Sequence, residues 1–149
     1  MEHSLSDFNH QTPIQIRFND IDGLGHVNNS TIMEYFDLGR LGYLNMSVGA
    51  RLGVDGKNVV IVSYKTDFYK QVKINDQLTV LTKVYNLGNK SIKMFQWLIK
   101  NGESTPIASC DSILSGIDMH QNCSMVIPEE WRQCFNKLEK GTLIEDIDQ

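Results

Sequence analysis

The chain reads Arg17-Phe18-Asn19-Asp20-Ile21-Asp22-Gly23-Leu24-Gly25-His26-Val27-Asn28-Asn29 immediately before an apolar segment from Ser30 to Met46. This order predicts the end of a strand, a tight polar turn with two glycines, and an asparagine-capped start of a long helix. Carboxylates and an imidazole thus fall close to the free N–H groups of a helix N-terminus, which bind negative oxygens. The stretch therefore predicts a carboxylate that faces a potential oxyanion hole.

Glycines and asparagines set the geometry that this turn requires. Gly23 and Gly25 permit positive φ and let a substrate approach the main chain closely. Asn28 or Asn29 is a favoured helix N-cap, and the N–H groups just beyond the cap remain free. We expect any role of these asparagines toward a substrate to come through those N–H groups.

The acidic and imidazole side chains each have a simpler interpretation beside the catalytic one. Asp20 is expected to cap the turn or to pair with Arg17, because turn aspartates commonly serve their own backbone. Asp22 precedes the glycines and faces the predicted helix start, which favours a chemical role over a purely structural one. His26 either orients Asp22 or the substrate, or is satisfied by local backbone, and the sequence leaves both open.

Composition excludes several classes of function. The chain has 149 residues and a net charge of −4, and it has no cluster of Lys and Arg interleaved with aromatic residues, which argues against nucleic-acid binding. Its three cysteines show no C-x-x-C spacing, so we expect neither a disulfide framework nor a metal site, and a reducing cytoplasm fits best. The N-terminus lacks the features of a signal peptide, and no apolar run approaches membrane-spanning length.

The rest of the chain predicts a single domain over residues 1–149 with loosely held ends. We expect a flexible arm at 1–12, a frayed tail at 141–149, and a short helix that opens at Pro128. The helix after Asn29 is apolar around most of its circumference, so it should be buried on several sides. The predicted strands span 14–18, 59–69, 77–87, 91–100 and 105–118.

This order of elements predicts an α+β fold in which an antiparallel sheet surrounds a central helix. The strand at 91–100 is apolar on both faces, so its second face also needs cover. A homodimer or homotetramer would supply that cover, although the C-terminal helix would give the same pattern.

The run Arg17-Phe18-x-Asp20-x-Asp22-x-x-Gly25-His26-Val27-Asn28-Asn29, followed by Tyr35-Phe36-x-x-x-Arg40, resembles the signature of hot-dog-fold acyl-coenzyme A thioesterases of the 4-hydroxybenzoyl-coenzyme A thioesterase type. The resemblance implies the hot-dog fold and hydrolysis of an acyl thioester of coenzyme A (CoA) or acyl carrier protein. It also implies a site shared across a dimer interface. No cofactor is expected.

The same resemblance assigns roles to particular residues. Asp22 falls on the catalytic carboxylate of the family, which acts as nucleophile or as general base for water. The backbone N–H of Asn29 falls on the group that polarises the thioester carbonyl, and His26 completes the expected catalytic set. Gly25 and Asn28 are the expected substrate-binding residues. The loop at 71–76 departs from the family pattern because it lacks a proline often found there.

Two other functions on the same fold compete with hydrolysis. A hydratase or dehydratase of acyl thioesters resembles proteins with an Asp-x4-His pattern, whereas Asp22 to His26 is Asp-x3-His and Asp20 to His26 is Asp-x5-His. A non-catalytic module that binds acyl-CoA or acyl carrier protein would keep the pocket without turnover. The acyl group is not fixed by the sequence. Lys90 and Lys93 are candidate lysines for contact with the CoA phosphates.

Overall fold

The computed structural model describes residues 3–147 of the chain. Its helices are α1 (Asn29–Ser47) and α2 (Glu129–Leu138). Its strands are β1 (His10–Ile14), β2 (Lys57–Phe68), β3 (Leu78–Gly88), β4 (Ser91–Lys100), β5 (Pro106–Asp118), β6 (Cys123–Ser124) and β7 (Ile144–Asp146). Short 3-10 turns at Leu5–Asp7, Phe18–Asp20, Gly49–Arg51 and Val54–Gly56 connect several of these elements.

The five main strands form one curled antiparallel sheet around α1, in the order β1-β3-β4-β5-β2. The short strand β6 pairs with β5, and β7 adds a parallel edge to β3. This arrangement confirms the predicted α+β architecture. It leaves β2 with β5 as its one partner, so the other edge of β2 is unpaired among the described residues.

A row of polar side chains crosses the inner face of the sheet and fixes the height of α1 above it. Cα partners on successive strands form this row from His10 through Thr82, Gln96 and Cys110 to Thr66. The Gln96 amide donates hydrogen bonds to the Phe36 carbonyl of α1 and to the Thr82 hydroxyl, each at 3.0 Å. Its oxygen accepts from the buried guanidinium of Arg40 at 2.8 Å. The helix is therefore tied to the sheet at one defined place.

One side of α1 faces away from the sheet, which differs from the expectation that the helix is buried on several sides. The residues that it buries are Ile32, Tyr35, Phe36, Gly39, Arg40, Tyr43 and Leu44. Leu38, Leu41 and Met46 are at least half exposed, and Leu41 retains 56% of its accessible surface. The sequence pattern is apolar around most of the helix because these leucines and this methionine lie on its exposed side.

The strands begin and end close to the predicted places, with two informative differences. The first strand spans His10–Ile14 instead of 14–18, because Arg17 to Asp20 forms a 3-10 turn closed by a hydrogen bond between Asp20 N–H and the Arg17 carbonyl. Strand β2 has a register shift between Ile61 and Ser63, so residues before and after it do not share the simple alternation predicted.

The two ends of the chain are more structured than the sequence predicted. His10 to Thr12 pair with β3, and upstream of them Phe8 packs with Trp97 on the outer face of the sheet. This contact covers part of the second apolar face of β4. At the other end, Ile144–Asp146 pair with β3, so the predicted frayed tail contains a strand, and residues 148 and 149 lie outside the described part.

Glu139, at the end of α2, is a fully buried carboxylate in the core. It accepts hydrogen bonds from the Tyr43 hydroxyl of α1 and from the Val84 N–H of β3, next to a register shift in that strand. Burial raises the pKa of Glu139 above its ordinary value of 4.5, against the opposing effect of these hydrogen bonds. One side chain therefore joins α2, α1 and the sheet.

The raised pKa of Glu139 predicts a pH-dependent contribution to stability. A carboxyl group with a raised pKa in the folded state stabilises the fold fully below its unfolded pKa and loses that contribution as the pH rises through the folded pKa. We therefore expect the free energy of unfolding of Glu139→Gln, minus that of the wild type, to increase from about pH 4.5 toward neutrality. Urea unfolding of both proteins across that range measures the difference.

Glu139→Ala is the comparison that separates ionisation from hydrogen bonding. It leaves the Val84 N–H and the Tyr43 hydroxyl without their acceptor, which should cost about 1–3 kcal/mol throughout the range. A difference between wild type and Glu139→Gln that does not change with pH would contradict the prediction.

Candidate active site

A cleft of about 860 Å³ opens where the N-terminus of α1 meets the end of β2. Its lining combines the turn predicted from the sequence with residues far along the chain: Asp22, Leu24, His26, Val27, Asn28, Asn29, Ile32, Phe68, Tyr69, Lys70 and Gln71. Four of the five predicted site residues, Asp22, His26, Asn28 and Asn29, thus meet in one cleft. The fifth, Gly25, lies in the same turn but does not line the cleft.

Asp22 is half-buried, and the turn itself fixes its carboxylate. Its Oδ1 accepts hydrogen bonds from the backbone N–H groups of Leu24, at 2.9 Å, and of His26, at 3.2 Å. The main chain also closes the turn, because the Asp22 N–H donates to the His26 carbonyl at 2.8 Å. No hydrogen bond to Oδ2 is found within residues 3–147, so one carboxylate oxygen is anchored and the other is free to act.

Asp20 has a structural role, as its simpler interpretation predicted. Its Oδ2 accepts hydrogen bonds from the Arg17 N–H at 2.9 Å and from the Tyr35 hydroxyl of α1 at 2.6 Å. Burial, reinforced by the bond to Asp20, raises the pKa of Tyr35 well above its ordinary range, so this hydroxyl remains a donor. The Asp20 side chain thereby joins the turn to the first helical turns of α1.

The start of α1 supplies a free N–H beside this carboxylate. Asn28 is the N-cap, and its side-chain oxygen accepts from the Ser30 N–H at 2.8 Å and from the Ser30 hydroxyl at 2.7 Å. The Asn29 N–H, just after the cap, makes no hydrogen bond to any described residue. Because it lies at the positive end of the helix dipole, this N–H is suited to donate a hydrogen bond to a negative oxygen of a ligand.

Histidine and glycine contribute to the turn in different ways. The backbone of His26, and not its imidazole, holds Asp22, and the half-buried ring lines the cleft. Gly25 has φ of +84°, which an L side chain rarely adopts, and a Cβ there would meet no heavy atom within 4 Å. The backbone conformation therefore requires Gly25, and no group of the described residues approaches it closely.

The far wall of the cleft could not be located from the motif. Phe68, Tyr69, Lys70 and Gln71 leave the end of β2 and face the turn. In the sequence they mark only the end of an alternating apolar pattern. That pattern does not indicate that they face the turn that holds Asp22. In the described part of the chain, no group of three or more His, Cys, Asp and Glu side chains is arranged to hold a metal ion.

Comparison with known proteins places the chain in a family. A family model described as thioesterase-like superfamily matches residues 16–135. This range includes the turn, α1, most of α2 and the strands β2 to β5. The chain belongs to the thioesterase-like superfamily. Its curled sheet and central helix are the hot-dog fold of the thioesterases that it resembles in structure.

Two solved structures and one curated protein are among its similar proteins. The PA5185 protein from Pseudomonas aeruginosa superposes with a TM-score of 0.81 at 26% identity, over 91% of this chain and 94% of that one. A Thermus thermophilus thioesterase, solved with coenzyme A and Zn, gives 0.80 at 26% identity, over 91% and 98%. The uncharacterised protein YsmA of Bacillus subtilis is 29% identical over 107 residues, 69% of this chain and 67% of its own length.

Neither α-helix within residues 3–147 has the length and hydrophobicity needed to cross a bilayer. The cysteines Cys110, Cys123 and Cys134 are all free thiols.

Proposed function

We propose that this protein hydrolyses an acyl thioester to a free acid and a thiol in the cleft between the turn and β2. The observation that carries the proposal is the pair formed by Asp22 and Asn29, one with a free carboxylate oxygen and the other with a free N–H in the same cleft. Membership of the thioesterase-like superfamily supports this reaction.

The chemistry needs little more than this pair. The thioester carbonyl oxygen accepts a hydrogen bond from the Asn29 N–H, which stabilises the negative charge that develops when the carbonyl carbon is attacked. Asp22 either removes a proton from an attacking water or attacks the carbonyl itself, after which water hydrolyses the acyl-enzyme anhydride. In both routes the C–S bond breaks, the sulfur takes a proton, and one water is consumed. His26 and Asn28 complete the site, His26 through the backbone bond that fixes Asp22 and Asn28 through the cap that exposes the N–H.

The substrate that we propose is an acyl-CoA. We further propose that the enzyme is of the 4-hydroxybenzoyl-coenzyme A thioesterase type and that it works in the cytoplasm without a cofactor. A coenzyme A complex of the similar Thermus thermophilus thioesterase supports CoA as the thiol. An acyl carrier protein is the alternative thiol. The sequence motif from Asp22 to Asn29, together with Tyr35, Phe36 and Arg40, supports assignment to the 4-hydroxybenzoyl-coenzyme A thioesterase type.

We also propose that the working form is a homodimer, or a tetramer of two such dimers, joined through β2. This strand has a free edge along its twelve residues, and its exposed apolar side chains include Val62, which keeps 59% of its surface. A long apolar edge in a soluble enzyme needs a partner. Antiparallel pairing of β2 with its copy would provide one and would bring the partner close to the cleft wall at Phe68 and Tyr69.

Tyr64→Lys tests the dimer. Tyr64 is more than half exposed on β2, so the subunit should still fold, but a lysine added to each of the two paired edges would introduce repulsion between them. We expect the variant to be monomeric and to lose most thioesterase activity, as measured by size-exclusion chromatography with light scattering and by thiol release. Lys65→Ala, on the same strand, is the control. A Tyr64→Lys protein with the wild-type mass would contradict pairing through β2.

Thiol release from a panel of acyl-CoA esters tests the proposed reaction and defines its substrate class. The panel contains short, medium and long aliphatic acyl groups and an aromatic one. Release of thiol above the rate without enzyme for at least one class is the expected result. Binding of the same esters without release would favour the non-catalytic module, and addition of water to an enoyl ester without C–S cleavage would favour a hydratase.

A further inference from the structure

A second groove adjoins the cleft on the outer face of the sheet, and the two share part of their lining. This groove measures about 760 Å³ and includes Phe95 and Trp97 of β4 together with Pro106. Tyr69 and Lys70 line both the groove and the cleft. A ligand whose reacting end lies at Asp22 can therefore continue past Tyr69 and Lys70 onto the outer face.

Tyr69 presents an aromatic ring at the junction in a fixed position. Its hydroxyl hydrogen-bonds the Ser109 hydroxyl of β5 at 2.9 Å, and its side chain keeps 57% of its surface. An exposed ring that is held by its polar end is preorganised for stacking on a flat partner. Base–aromatic stacking is a common way to bind a nucleobase, because every base has a π-face.

Lys70 places a positive charge beside that ring. Its ammonium group donates to the Thr105 hydroxyl at 3.0 Å and lies 3.7 Å from the Glu103 carboxylate. Lys70 and Glu103 both remain about half exposed, so this ion pair is weak and can yield to a more highly charged anion. Glu103 opposes such an anion, which makes it a useful site for a test.

The geometry points to this groove as the site for the nucleotide end of the CoA thiol, with the adenine against Tyr69 and a phosphate at Lys70. This inference rests on the proposed function and names the part of the substrate that the cleft itself does not hold. A nucleotide with phosphates supplies both a flat ring and the negative charge that the two residues complement. An acyl carrier protein, whose phosphopantetheine arm has no adenine, would leave the groove unused.

The sequence suggests Lys90 and Lys93 for the phosphates, but neither lysine lines this groove. The backbone N–H groups of Tyr69 and Lys70 donate hydrogen bonds to the Ile107 carbonyl, beside the Leu98 end of β4. Lys93 is near the opposite end of β4, and Lys90 lies in the turn that precedes this strand. Lys90 therefore provides a matched control on the same molecule.

The test compares two substrates with the same acyl group, one on CoA and the other on pantetheine, which lacks the nucleotide. The measured quantity is kcat/KM for the CoA ester divided by kcat/KM for the pantetheine ester. We expect this ratio to fall about tenfold in Tyr69→Ser and in Lys70→Gln, mainly through KM for the CoA ester. It should rise about threefold in Glu103→Gln, which removes the opposing charge. Lys90→Gln should leave it at the wild-type value.

Isothermal titration with free CoA and with pantetheine gives a readout that does not depend on turnover. The expected result is weaker binding of CoA, but not of pantetheine, in Tyr69→Ser and Lys70→Gln. Ratios and affinities that stay at the wild-type values in both variants would overturn the inference while leaving the hydrolase intact. A wild type that hydrolyses neither ester would instead overturn the proposed function.

The alternative to a nucleotide in the groove is a second copy of the chain that packs on it. In that case the Tyr69→Ser protein would have a smaller mass in light scattering, and both esters would be affected equally. That combination would also overturn the inference.

Discussion

Replacing Asp22 by asparagine is expected to lower kcat for thioester hydrolysis about a thousandfold, because a positioned acid or base contributes on that order. The amide oxygen can still accept from the Leu24 and His26 N–H groups, so the turn should keep its conformation. The amide nitrogen, in contrast, can neither attack a carbonyl nor remove a proton from water. Initial rates of thiol release, with circular dichroism to confirm folding, measure the effect.

Asp20→Asn is the matched control for this experiment. Its amide oxygen can replace the carboxylate as acceptor for the Arg17 N–H and the Tyr35 hydroxyl, and Asp20 does not line the cleft. We expect activity close to that of the wild type, with at most a small loss of stability. Loss of activity in Asp20→Asn together with retention in Asp22→Asn would reverse the assignment of the two carboxylates.

Gly39→Ala is expected to destabilise the fold by about 2 kcal/mol, although alanine is the better helix former by about 1 kcal/mol. A Cβ at this position would lie 2.4 Å from Val80 Cγ1 and 2.8 Å from the Gln96 amide nitrogen. Because Gln96 is held by Arg40, Thr82 and the α1 backbone, it cannot move away without breaking buried hydrogen bonds. The midpoint of urea unfolding measures the loss.

Asn45→Ala, at an exposed position of the same helix, isolates the contribution of helix propensity. It should leave the unfolding midpoint unchanged or raise it slightly. A Gly39→Ala protein that is as stable as Asn45→Ala would show that α1 does not need its close approach to the sheet.

The parts of the site that depend on neighbouring residues were predictable from the sequence. The turn, its capping asparagine and the local hydrogen bonds of Asp20 and Asp22 follow from side chains that bond their own backbone within four residues. The helix and the four long strands follow from hydrophobic periodicity, and their bounds agree within about two residues. The first strand was placed four residues late, because Ile16 and Phe18 continue the alternation into a turn that hydrogen bonds close.

The features that depend on distant residues were not predictable. Nothing in the sequence around Glu139 indicates that it bonds Tyr43 and Val84, because those residues approach it only in the folded chain. The cleft wall at Tyr69 and Lys70 is set by the pairing of β2 with β5, which no local pattern specifies. The register shift in β2 likewise changes which side chains share a face without a Gly or Pro to mark it.

The stoichiometry of acid and thiol released from the acyl-CoA that the wild type consumes fastest tests the proposed hydrolysis. Mass spectrometry of the acid and a thiol reagent would follow both products in one reaction, with Asp22→Asn as the parallel sample. We expect one acid and one thiol for each ester consumed by the wild type, and a rate near that of the uncatalysed reaction for the variant. Equal rates in the two folded proteins, or loss of ester without free acid, would contradict it.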